Sequence, residues 1–134
     1  MKRQIKYETL VGLPFLLLAI GLFIFFQTKE IKDFLPTSKV TRIVITEGDT
    51  GRSTTLDDQT DIKKVLSYME QMNFRRRLHF ARESYSYQIT FYDNNQPLTT
   101  IRFLEKLVDI NGFHYSINNS NKRTLKQLVK GFLP

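Results

Sequence analysis

The chain has 134 residues and carries two histidines, His79 and His114, and no cysteine. Disulfides, thiolate metal sites and thiol nucleophiles are thereby excluded, and neither histidine belongs to a His-Glu-x-x-His pair that could hold zinc on one helix face. Gly48-Asp49-Thr50-Gly51-Arg52-Ser53 has the residue types of a phosphate loop. Such a loop needs G-x-x-x-x-G-K-[ST] between a strand and a helix, whereas here the glycines are closer and a Thr-rich, strand-like segment follows, so the segment reads as a hairpin turn. Glu47 with Asp49, or Asp57 and Asp58 with Asp61, lack the alternating acidic pattern and distal Glu of a Ca²⁺ loop, and the second set reads as a helix N-terminus. Asn118-Asn119-Ser120 has the form of a glycosylation sequon and reads as a polar helix cap. No catalytic, cofactor-binding or metal-binding residue is assigned.

Two polar constellations remain. In Phe74-Arg75-Arg76-Arg77-Leu78-His79-Phe80-Ala81-Arg82 four arginines stand among apolar residues, the densest charge in the chain. Guanidinium forks match phosphate and carboxylate, so Arg75, Arg76, Arg77 and Arg82 are candidates for binding an anionic lipid, an anionic polymer or an acidic protein. The competing reading is an edge strand blunted by charge, with Phe74, Leu78 and Phe80 buried. The second constellation follows from register. A two-residue Asn111-Gly112 turn sets Ile110 opposite Phe113, Asp109 opposite His114 and Val108 opposite Tyr115. A two-residue Glu105-Lys106 turn sets Arg102 opposite Asp109, and a five-residue loop after Tyr92 sets Gln88 opposite Arg102. Gln88, Arg102, Asp109 and His114 then form a polar row across four strands, with Tyr87, Phe103, Val108 and Tyr115 as the matching row on the buried face. The polar row is a candidate docking surface, with His114 as its titratable member.

The elements that carry these rows are legible from periodicity. Val40 to Thr46 and Arg52 to Leu56 read as a hairpin around the Gly48 turn. Asp58 can cap a helix whose stripe is Ile62, Val65, Leu66, Met69 and Met72. Tyr85, Tyr87, Ile89 and Phe91 alternate with Ser84, Ser86, Gln88 and Thr90, which predicts a half-buried strand. Asp93 to Pro97 reads as a loop, Leu98 to Leu104, Leu107 to Ile110 and Phe113 to Ile117 as strands. A last helix carries Leu125, Leu128, Val129 and Phe132 on one side. An antiparallel sheet with one apolar face needs a cover and the two helices supply it, so the expected fold is α+β, a two-layer sandwich in ββαββββα order.

Ahead of this domain, every residue from Leu10 to Phe26 is apolar, Gly or Pro. Those 17 residues, at about 1.5 Å each, nearly match a hydrocarbon core of about 30 Å. The run ends Phe-Phe-Gln-Thr-Lys-Glu, without the small residues of a signal-peptide cleavage site, so it reads as an uncleaved anchor through the bilayer. Lys2, Arg3 and Lys6 precede it, and Lys29 and Lys32 are interleaved with Glu30 and Asp33. The positive-inside rule therefore puts the N-terminus in the cytoplasm and the domain outside. The expected organisation is anchor 1–35, linker 36–39 and extracytoplasmic domain 40–134.

The formal charge of +7 lies mainly in the domain and favours polyanionic partners, among which nucleic acid is unsuited to an external domain. Anchor and element order resemble small membrane-tethered extracytoplasmic domains of Firmicutes, a resemblance that implies no activity and no cofactor. The leading expectation is a non-enzymatic binding or accessory module of the cell envelope. An immunity-type inhibitor of a toxin or protease, and a hydrolase without a familiar motif, are the alternatives. Topology is testable with single cysteines replacing Gln4 or Asn119: a membrane-impermeant thiol reagent on intact cells should label only position 119, and labelling at position 4 alone overturns the orientation.

Overall fold

The computed structural model describes residues 7–78 and 84–133, with side chains from Leu10 onward except that of Asn119. Helix α1 spans Tyr7–Phe25 and contains Pro14. At about 1.5 Å per residue its 19 residues rise about 28 Å, and from Leu10 to Ile24 its large apolar side chains are exposed. Among the described residues no helix is long and apolar enough to cross a membrane. The described side chains of α1 begin only at Leu10, so they represent roughly 24 Å of it.

Seven strands follow: β1 Arg42–Glu47, β2 Ser53–Leu56, β3 Arg75–Arg77, β4 Tyr87–Asp93, β5 Gln96–Phe103, β6 Val108–Ile110 and β7 Phe113–Ser116. They form one antiparallel sheet in the order β2-β1-β4-β5-β6-β7-β3. Helix α2, Gln59–Glu70, lies between β2 and β3 in the chain, and α3, Asn119–Phe132, follows β7. Both helices start where short polar side chains suggest. The Asp58 carboxylate accepts the Thr60 amide at 2.7 Å and the Asn118 carbonyl accepts that of Ser120 at 3.0 Å.

The stripe Ile62, Val65, Leu66, Met69 and Met72 is buried, as are Leu125 and Val129 of α3. They join Ile43, Ile45, Ile89, Phe91, Ile101, Phe103, Val108, Ile110 and Tyr115 of the sheet in one cluster. An α+β domain results, and its core reaches further back in the chain than residue 40. Ile31 and Leu35 are 0% and 1% exposed. A short 3₁₀ turn, Ile31–Asp33, is closed by Asp33 accepting the Glu30 amide, and Phe34 meets Phe74 and Tyr115 edge to face. Residues 36–39, expected as a linker, include the 3₁₀ turn Thr37–Lys39 between buried Leu35 and Val40.

Two expectations about elements are corrected. The order is ββαβββββα, because Arg75–Arg77 adds a fifth strand after α2. Three consecutive arginines carry no alternation, and they pair with β7 at the edge of the sheet. The loop expected at Asp93–Pro97 is also shorter, since Asp93 pairs with Gln96 and only Asn94 and Asn95 turn, Asn94 taking φ +53°. A bulge at Leu98, where Phe91 faces Thr99 but Tyr92 faces Pro97, restores the register. Gln88 therefore faces Arg102 as expected, by a different route.

At the β1–β2 turn Glu47 accepts hydrogen bonds from Thr50 and Arg52, both at 2.8 Å. First the Thr50 bond and then Arg52 hold its carboxyl below the ordinary range. Because the folded-state affinity for a proton is lowered, this tie is complete above the ordinary glutamate range and is lost as pH falls through the lowered value. Gly48 donates its amide to the Ser86 carbonyl at 2.8 Å, and a Cβ there would collide with the Tyr85 carbonyl. Gly48→Ala should therefore cost about 1–3 kcal/mol of unfolding free energy in urea titrations. A loss below about 0.5 kcal/mol would mean that the Tyr85–Ser86 segment yields freely.

Candidate functional site

Strand alternation decides which side chains share a face, and it divides the arginine cluster. Arg76 lies opposite buried Tyr115, whereas Arg75 lies opposite Ser116 and Arg77 opposite His114. Arg75 and Arg77 thus join the polar row, and Arg76 points to the other face. The row itself has the expected register: Gln88 faces Arg102, Arg102 faces Asp109 and Asp109 faces His114. Tyr87, Phe103, Val108 and Tyr115 form the matching row on the core face. Thr46 extends the polar row beyond Gln88. Two constellations read separately from the sequence therefore become one band, Thr46-Gln88-Arg102-Asp109-His114-Arg77, across six strands.

Contacts within the band are specific. Arg102 Nε donates to Gln88 Oε1 at 2.9 Å, and its guanidinium lies 5.7 Å from the Tyr85 ring. Asp109 Oδ1 accepts the Gly112 amide at 2.8 Å, which secures the β6–β7 turn, where Asn111 and Gly112 take φ +53° and +93°. Its other oxygen stands 3.9 Å from His114 Nε2. Although Arg102 and Asp109 are neighbours, no ion pair joins them among the described residues; the carboxylate is committed to the turn and the guanidinium to Gln88. Arg77 Nε donates to Ser116 Oγ at 3.3 Å. Beside it a polar recess is lined by Thr28, Asn73, Arg75, Arg77, Ser116, Ile117 and Asn118.

The edge-strand reading of the arginine segment is correct for Arg75–Arg77, with Phe74 buried at 1% exposure. It fails for Leu78, which follows the end of β3 at Arg77 and is 65% exposed. Phe80 and Arg82 lie outside the described residues.

Arg76 has a role that its sequence context hides. Its guanidinium is 4.0 Å from the Phe25 ring at the end of α1, 4.0 Å from the Phe113 ring and 5.9 Å from Tyr115. Burial raises the Tyr115 pKa, with the Arg76 charge acting in the opposite direction. The sequence reads Phe25 as part of the apolar run 10–26, Phe113 as a strand residue and Leu78 as buried, so none of the three stands out as a partner of Arg76. Among the described residues no group of three His, Asp or Glu side chains is placed to hold a metal.

No family model matches the chain, and no curated protein or solved structure matches it either. A cation over an aromatic ring contributes about 0.5–2 kcal/mol, more when water is excluded. Arg76→Ala should accordingly destabilise the detergent-solubilised chain by about 1–2 kcal/mol, read as a lower thermal midpoint by far-UV circular dichroism. Arg75→Ala and Arg77→Ala should each stay within about 0.5 kcal/mol. Equal losses at all three would show that Arg76 is no special contact.

Proposed function

We propose that this protein is a single-pass, membrane-anchored and non-enzymatic binding or accessory module of a bacterial cell envelope. In this reading α1 crosses the cytoplasmic membrane with the N-terminus inside, and the two-layer α+β domain stands outside. Support for the anchor comes from the 17-residue apolar run Leu10–Phe26 and the exposure of its large side chains. The basic residues before the run support the orientation.

The single observation that carries the binding role is the merged band. Exposed Arg102 and Arg77 and half-buried Gln88, Asp109 and His114 lie in one cross-strand row on the face opposite the core cluster. A sheet holds such a row more rigidly than a loop could, so a partner meets donors whose spacing is already set. Its chemistry suits an acidic protein surface or an anionic envelope polymer: the guanidiniums of Arg77 and Arg102 are exposed, while the Asp109 carboxylate holds its own turn.

The test is site-specific photocrosslinking in native membranes from Arg102, from His114 and from Lys63, an exposed position on α2. Adducts should form from the two sheet positions and not from Lys63. Arg77→Ala should reduce those formed from position 114 several-fold. Equal adducts from all three positions, or adducts from Lys63 alone, overturn the docking face.

A further inference from the structure

Outside α1 and Phe26, the large apolar side chains exposed among the described residues are Leu78 and Phe113, at 65% and 53%. They are not scattered. The β3–β7 ladder closes with Arg77 facing His114; Leu78 follows that pair and Phe113 precedes it, so both lie at the same end of the two strands. Phe113 lies two residues from Tyr115 on β7, which puts it on the face from which Arg76 reaches Phe25, and Leu78 is the residue directly after β3. The guanidinium is 4.0 Å from each of Phe25 and Phe113 and so joins Phe113 to the apolar surface of α1.

The course of the chain gives the direction of the membrane. Lys29 and Phe74 form an antiparallel bridge, with amide-to-carbonyl distances of 2.8 and 2.7 Å. Followed back from Lys29, the chain therefore runs alongside β3 toward its C-terminal end, which is the end that bears Leu78. Helix α1 leaves the domain on that side. Arg75 and Arg77 stand on the opposite face of the same strand, beside the recess that Thr28 also lines. An apolar pair flanked by guanidiniums where a hydrophobic helix departs matches the chemistry of a bilayer interface, where aromatic rings sit at headgroup level and arginines meet lipid phosphate.

From this we propose that the Leu78–Phe113 corner is a second bilayer contact. It lies in the headgroup and upper acyl region of the membrane that holds α1, with Arg76 as the strut between helix and sheet. This rests on the anchor reading above. The corner fixes the attitude of the domain, and one apolar pair suffices because α1 already holds the chain at the surface.

The chain has no tryptophan, so single Trp variants report their own depth. Phe113→Trp, Leu78→Trp, Leu18→Trp in the middle of α1 and Asp49→Trp at the opposite end of the strands are made in the full chain. Each is reconstituted in phosphatidylcholine–phosphatidylglycerol vesicles containing lipids brominated at a shallow or a deep acyl position. Positions 113 and 78 should lose about half of their emission or more to the shallow quencher. Position 18 should respond to the deep one, and position 49 to neither. If position 18 is quenched while 113 and 78 behave like 49, the corner is overturned and the anchor stands, as it also would if a protein partner covered the corner. If position 18 is not quenched by the deep lipid, the anchor reading fails and the corner fails with it.

Discussion

The arrangement of the whole molecule depends on a two-hydrogen-bond bridge between Lys29 and Phe74. It sets the chain leaving α1 against the outer edge of β3, and that single register decides what the edge can do. Ile31, Phe34 and Leu35 then turn inward beneath the sheet, where Thr99 donates its hydroxyl to the Phe34 carbonyl at 2.7 Å. Helix and domain are consequently joined by packed structure and backbone pairing. An edge strand of three arginines repels further strands by charge, and the bridge gives Phe74, the residue just before it, a native partner.

Strand periodicity then turns one run of charge into two devices. Side chains alternate across a pleated strand, so Arg75 and Arg77 enlarge the polar band while Arg76 lies between aromatic rings on the other face. Arginine suits both positions for different reasons. Its planar fork presents donors on the band, and its flat, weakly hydrated cation can stack between Phe25 and Phe113 where a lysine ammonium would hold more water. The same economy is visible at Asp109, whose carboxylate secures the Gly112 amide and still faces His114.

A buried lysine shows how the last helix is fastened. Lys122 of α3 is 6% exposed and its ammonium donates to the Glu105 carbonyl in the β5–β6 turn. A charge taken out of water is costly unless hydrogen-bonded, so this contact fixes the start of α3 over that turn. Leu125 and Val129, one and two turns further on, then reach the core.

Much of this architecture can be read without coordinates. Both helices, their caps and their buried stripes follow from 3.6-residue periodicity and short-range side-chain chemistry. The Asn111-Gly112 turn alone orders Val108, Asp109 and Ile110 against their partners, because side-chain period two leaves only one register that buries the apolar row. Local pattern therefore determines helices, hairpins and the row from Gln88 to His114. What it cannot carry is contact between segments far apart in the chain. The pairing of β1 with β4, the recruitment of Arg75–Arg77 to β7, the descent of Ile31 and Leu35 into the core and the stacking of Arg76 on Phe25 all join segments separated by long stretches of chain. Their partners are selected by the apolar area and unpaired backbone left over when the local elements meet, and only the tertiary structure decides that.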